Sequence, residues 1–249
     1  MRALVLWYVV WGAAAFGGAP RRKRRRLPCA GGATNHQSAT SVITGSTLAA
    51  GIAQVQFPHL TAWGAKHAPS ILAGQYWRLV TPMFLHASPA HIFTNIISLQ
   101  SVGPQLERWY GRRRFVVTYV TSAITANVLS CTLNFAGTSV GASGAIAGIV
   151  GALAVHNIRH SHILRSSKAH LEAIGQVILF NVALGLFERS IDNAAHLGGF
   201  LGGAAAAFLI GSNFVPVKDR LGRLRGYVDK PLIPLGSNDN PTFLPARYY

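Results

Sequence analysis

No aspartate or glutamate occurs before Glu107, and the 249 residues carry seven acids in all. Charged residues make up 12% of the chain, whereas soluble domains carry about 25%. That deficit excludes an ordinary water-soluble surface. Cysteine is as scarce. Cys29 and Cys131 are the only two, and neither has zinc or redox spacing. Cys29 lies in a segment expected to be removed, so no disulfide framework is implied. Histidine offers no metal set, because His86 and His91 lie five positions apart and point to different faces of a helix. No metal and no cofactor is expected.

Bases and apolar residues are abundant. The formal net charge is +16, and 50% of the residues are hydrophobic, with 26 glycines. A basic chain suggests nucleic acid, but here the bases cluster between apolar stretches. Positive charge flanking membrane spans explains the same pattern, and nucleic acid is set aside as a partner. The composition is that of an all-α membrane protein in contact with a lipid bilayer.

Arg2 precedes an apolar run from Ala3 to Phe16, short for a span of about 20 residues. A basic block from Arg21 to Arg26 and an acid-free Ser/Thr/Ala/Gly stretch follow. A signal-like apolar segment followed by transit-peptide composition predicts a two-part presequence at 1–40. The other reading is an extra membrane anchor. Residues 41–212 are expected to form the membrane domain. Residues 213–249 are expected to be a mostly disordered tail.

Six apolar helical segments are predicted, at about 41–57, 90–106, 115–134, 143–157, 171–187 and 193–210. Alternating the loops puts Arg108, Arg112–Arg114, Arg159, Arg165, Lys168 and the basic tail on one side. The opposite loops hold few bases. The positive-inside rule then places both termini on the cytosol-equivalent side. His156, His160 and His162 at a basic loop read as solvated headgroup contacts.

The polar residues converge on the other side. His86, His91 and Asn95 lie at the start of the second segment, Ser143 opens the fourth, and His196 lies near the start of the sixth. Polar groups at membrane depth usually mark a site. Small residues at Gly144, Gly148 and Ala152 face a row at Gly198, Gly202 and Ala206, with a second row at Gly199 and Gly203. Spacing of four lets backbones approach closely and would bring hydroxyl and imidazole together. Serine needs a base to act as nucleophile, and His196 supplies one. The turn Gly141-Ala142-Ser143-Gly144 offers backbone N–H groups at a helix start for a developing oxyanion. His91 and Asn95, four apart on one face, are candidate side-chain donors to the same oxyanion. Asp192 reads as the N-cap of the last helix rather than a third catalytic member.

Trp77-Arg78, His86, His91, Asn95, Glu107-x-x-x-Gly111, Gly141-x-Ser143-Gly144 and His196-x-Gly198-Gly199, in that order, resemble the rhomboid intramembrane serine proteases over about 70–212. Ser101-Val102-Gly103-Pro104 and Ile191-Asp192-Asn193 look like plant plastid rhomboids. The resemblance implies a six-helix bundle with a long first loop that dips into the membrane, stabilised by Trp77 and Arg78. It implies Ser143 as nucleophile, His196 as base and acid, an oxyanion site of His91, Asn95 and the Ser143 N–H, and a gating fifth span. Single-span membrane proteins would be the substrates. The membrane would be a plastid one, with the secretory pathway or inner mitochondrial membrane as alternatives. Oligomeric state is left open. One departure is Ala147, where many rhomboids carry an aromatic residue that stacks on the catalytic histidine.

Overall fold

The computed structural model describes residues 38–188 and 191–235, and the backbone of 243–245. The expected presequence lies outside the described residues, apart from 38–40. The first helix, α1 (Ala39–Gln56), is set at its start by two caps. The Ser38 side chain accepts the Ser41 N–H. The Glu107 carboxylate accepts the Ala39 N–H at 2.6 Å and the Thr40 N–H at 3.0 Å. The first acid in the chain thus satisfies orphan donors of a helix 68 positions away.

The connection to the next long helix is folded rather than loose. It holds α2 (His59–Gly64), the short strand β1 (Lys66–His67), α3 (Ala68–Leu72) and two 3-10 turns (Tyr76–Leu79 and Thr81–Phe84). Arg78 ties it together by donating to Ala62 O and Ala65 O, each at 2.8 Å. Trp77 stacks on Trp63 with ring centroids 5.7 Å apart.

Helix α4 (Pro89–Leu133) runs 45 residues but breaks at Gly111, whose φ of 74° glycine adopts without penalty. The segments predicted at 90–106 and 115–134 are its two arms. Each arm is about 33 Å long at ~1.5 Å per residue, enough for a ~30 Å hydrocarbon core. Both ends of α4 reach the same region. His91 lies against Gly141, and at the other end Lys66 Nζ donates to Asn134 O (3.0 Å) and Gly137 O (2.8 Å). β1 pairs there with β2 (Thr138–Ser139). The helix therefore doubles back at Gly111. Three further helices follow: α5 (Ser143–Arg159), α6 (Ser167–Phe187) and α7 (Asn193–Ile210). Among the described residues, α4, α6 and α7 are long and apolar enough to cross a membrane. The segments predicted at 41–57 and 143–157 are helical too, as α1 and α5.

Helices α4, α5 and α7 form the core, and the glycine rows set their spacing. A Cβ on Gly199 would overlap Gly144 O, and one on Gly203 would overlap Gly148 O. The α5 row thus meets Gly199 and Gly203. Gly198 and Gly202 instead face α4, where a Cβ would press on Thr125. The expected pairing of Gly148 with the 198/202 row is corrected by one helical position. Backbone lies against backbone here, so no side chain can yield. Gly199→Ala is expected to cost at least ~1–3 kcal/mol of overpacking, read as a lowered unfolding midpoint in detergent.

The tail is not mostly disordered over residues 214–229. β3 (Phe214–Lys218) and β4 (Leu224–Asp229) form an antiparallel hairpin, extended by β5 (Phe243–Pro245). It is held by an ion pair of Arg114 and Asp229 at 2.6 Å, both largely buried. Two of the three histidines expected in solvent are covered by this docking. His162 is exposed, but His156 and His160 are buried. His160 Nε2 accepts the Phe214 N–H at 3.1 Å, so its Nδ1–H donates to His156 O at 2.9 Å. The His156 ring packs among those of Trp109, Tyr110 and Phe214.

Burial holds the His160 pKa down to about 4, against an ordinary 6.5. The unfolded chain then binds the extra proton between those values, so stability falls as pH drops from 6.5 to about 4. The unfolding midpoint in detergent should decline over that window. His160→Asn should start lower and respond less to pH.

Candidate active site

Ser143 is the first residue of α5, and its position follows from the turn before it. Gly141 has φ 132°, a conformation that costs a side chain and suits glycine. Its N–H donates to Pro82 O at 2.9 Å, anchoring the turn to the first loop. The following N–H groups begin a helix and lack intrahelical partners. His196 lies in the first turn of α7. Close contact of α5 with α7 brings the two side chains together: His196 Nε2 and Ser143 Oγ are 2.9 Å apart across 53 positions of sequence. Both are partly exposed.

His91 completes this corner. A Cβ on Gly141 would lie 2.9 Å from His91 Nε2 and 3.8 Å from Ser143 Oγ. The imidazole therefore borders the serine. His86 packs edge-on against it, with centroids 5.0 Å apart. The Gln54 side chain of α1 holds His86 through its backbone N–H at 2.9 Å. Asn95 is one turn further along and buried, and its amide donates to His91 O at 3.0 Å. That bond takes one of its two N–H donors and steadies the turn bearing His91. A cavity of about 30 Å³ opens beside Ser143, lined by Met83, Asn127, Ser139, Gly141 and Asp192 among others.

Asp192 does not reach His196 with its carboxylate. One oxygen accepts the Ala195 N–H at 3.0 Å, capping α7, and the other accepts the Ser130 hydroxyl. It anchors the first turn of the histidine-bearing helix to α4. Ser130 was not picked out from sequence. The signal for it is the polar stripe Thr118, Ser122 and Ser130 on an apolar helix arm. Lys66 was missed as well. It is fully buried, and its ammonium sits on the carbonyl end of α4, where the helix dipole favours a cation. Trp77, Arg78 and Glu107 lie outside the corner and hold the first loop and α1. Gly111 is the α4 hinge, and Gly144, Gly198, Gly199 and Gly202 line helix contacts. No ring among the described residues stacks on His196. Among the described residues no cluster of metal-binding side chains occurs.

The fold and this corner define a helical membrane protein that presents a serine hydroxyl to an imidazole from another helix. The Rhomboid domain profile matches residues 73–213. The chain belongs to the rhomboid family. It is 39% identical over 156 residues to the rhomboid protease GluP of Bacillus subtilis, covering 61% of this chain and 29% of that protein. It is 33% identical over 181 residues to RHOMBOID-like protein 5 of Arabidopsis thaliana, covering 72% and 55%. With Rhomboid-like protease 3 of Toxoplasma gondii it shares 38% identity over 146 residues, covering 57% and 54%. The chain thus spans between about a third and about half the length of these curated relatives.

Proposed function

We propose that the protein is an intramembrane serine endopeptidase that cleaves the membrane-spanning segments of single-span proteins. The observation that carries this is the 2.9 Å approach of His196 Nε2 to Ser143 Oγ. His196 takes the serine proton as Oγ attacks the scissile carbonyl, then gives it to the leaving amine as the C–N bond breaks. The products of this half-reaction are an acyl-enzyme and a free amine. Water, deprotonated by the same imidazole, then releases the acid. The oxyanion forms where His91 borders Ser143, and the Ser143 N–H and the second N–H of Asn95 are its further donors. A helical peptide bond hides its carbonyl, so the substrate segment unwinds first.

The same reading takes the two arms of α4 as separate spans and α1 and α5 as spans with them, six in all. Exposed Leu72, Tyr76, Trp63 and Trp77 support a first loop that lies in the membrane. The outer face of α6, with Leu179, Leu186 and Phe187 exposed, suits a helix that moves aside for substrate. Reconstitution with a single-span substrate tests the activity. Two peptide fragments from the membrane segment are expected. Release of lipid products without peptide fragments would sink the protease reading in favour of lipid hydrolysis.

A plastid membrane is the proposed location, reached through the presequence at 1–40. A fluorescent reporter carrying residues 1–50 is expected inside plastids. Retention in the secretory pathway or delivery to mitochondria would overturn it.

A further inference from the structure

The docked tail leaves α7 on the side of the basic loops. Ser212 Oγ–H donates to Trp109 O at 2.6 Å, and the Arg114–Asp229 pair holds β4 beside the α4 hinge. After β4 the chain returns to the helix it left. The Ile233 N–H donates to Leu209 O at 2.9 Å, in the last turn of α7. Leu232 and Ile233 are therefore exposed, at 57% and 47%, at the level of exposed Phe208 and Leu209. Those two belong to a helix apolar enough to cross a membrane. Arg159 marks the same level from α5. Its guanidinium donates to Phe208 O at 2.8 Å and lies over the Phe208 ring, as a cation does at the edge of hydrocarbon. An apolar pair continuing a lipid-facing surface at this level borders the bilayer.

The hairpin turn adds charge. Lys218, Arg220, Arg223 and Arg225 are exposed around it, and Lys230 at its base. Between them Leu221 is 74% exposed. The turn is well defined. The Asp219 N–H donates to Arg223 O, and the Asp219 carboxylate accepts the N–H groups of Leu221 and Arg223. Among the described residues Asp219 forms no ion pair with Arg220, Arg223 or Arg225, and the turn carries three guanidinium groups to this one acid. Exposed Arg112, Arg113, Arg165 and Lys168 extend the positive face.

We propose that the hairpin and its return segment form a peripheral anchor on the anionic phospholipid headgroups of the leaflet on the basic side. Leu232 and Ile233 enter the edge of the hydrocarbon beside Leu209. Arg220, Arg223 and Arg225 hold lipid phosphates, with Leu221 dipping between them. A combined basic and apolar surface is what binds a negatively charged leaflet and ignores a zwitterionic one. The assignment stands on the membrane character of the chain and is independent of its catalysis.

The test uses the full chain in nanodiscs, with a polarity-sensitive fluorophore on Leu221→Cys in a Cys29→Ser, Cys131→Ser background. In discs containing phosphatidylglycerol, blue-shifted emission and quenching by spin-labelled lipid are expected. Both should be absent in phosphatidylcholine discs and lost in high salt. Arg223→Gln and Arg225→Gln, both exposed, should each weaken docking about five-fold, the value of one base near an anionic surface. Equal emission in both disc types would overturn the proposal. So would the same blue shift on adding inorganic phosphate to phosphatidylcholine discs, which would mark a site for free anions.

Discussion

Ser143→Ala is expected to abolish cleavage of a reconstituted single-span substrate, and His196→Ala to lower kcat by about 10²–10⁴-fold with KM nearly unchanged. The two losses differ in origin. The first removes the atom proposed to form the acyl-enzyme. The second leaves the hydroxyl in place but without the base 2.9 Å away, and a serine hydroxyl is a poor nucleophile at neutral pH. The two side chains share one hydrogen bond across α5 and α7, so each variant should lose no more than about 0.5–1.5 kcal/mol of stability. A kcat loss without a KM change is the signature of a group that acts in the transition state only. Normal cleavage by Ser143→Ala would refute the assigned nucleophile. A serine-reactive probe that still labels His196→Ala at the wild-type rate would remove the histidine from the role of base.

Asp229→Ala is expected to lower stability by about 3–5 kcal/mol, the usual cost of removing one partner from a buried ion pair. Its carboxylate serves Arg114 on α4 and also the Asn213 N–H at 2.8 Å, so one change removes two of the bonds that hold the hairpin. Replacing the pair together, as Arg114→Met with Asp229→Leu, should recover most of the loss, because apolar groups carry no desolvation cost. The readouts are the unfolding midpoint in detergent and the rate of trypsin cleavage at Arg220 and Arg223. Cleavage activity should survive in whatever fraction remains folded. The hairpin meets the far end of α5 from Ser143, about 25 Å away at ~1.5 Å per residue. A variant as stable as wild type would show that the pair is solvated and of little consequence.

Some of this was readable along the chain and some was not. Scarcity of acid, the apolar runs and the placement of bases follow directly from composition. They are enough to identify a helical membrane protein and to put Ser143 and His196 on one side of it. Asp192 could be read as a helix cap because it stands just before an apolar helical run, and capping is local. The family resemblance implied a first-loop role for Trp77 and Arg78, whereas Glu107 could be noticed but not explained, since it bonds a segment 68 positions away.

The histidines show the limit most clearly. His156 and His160 sit beside Arg159, and a basic loop reads as solvated. The docked hairpin covers them instead, through contacts 54 positions apart. The hairpin was itself missed, because a short strand beside prolines, glycines and bases carries no strong period of its own. What stabilises it is the Arg114–Asp229 pair, separated by 115 positions.

By itself the sequence determined the class of protein and singled out Ser143 and His196, which the structure brings within 2.9 Å of each other. Both readings depend on composition, charge and helical periodicity, which are properties of single segments. Only the tertiary structure decided which glycine row of α7 meets α5, that the second carboxylate oxygen of Asp192 goes to Ser130, and that the tail folds back onto α4. Adjacent rows on a helix differ by one residue, and periodicity cannot rank them. The choice is made where two backbones cross, by which hydrogens leave room for the other helix's carbonyl groups.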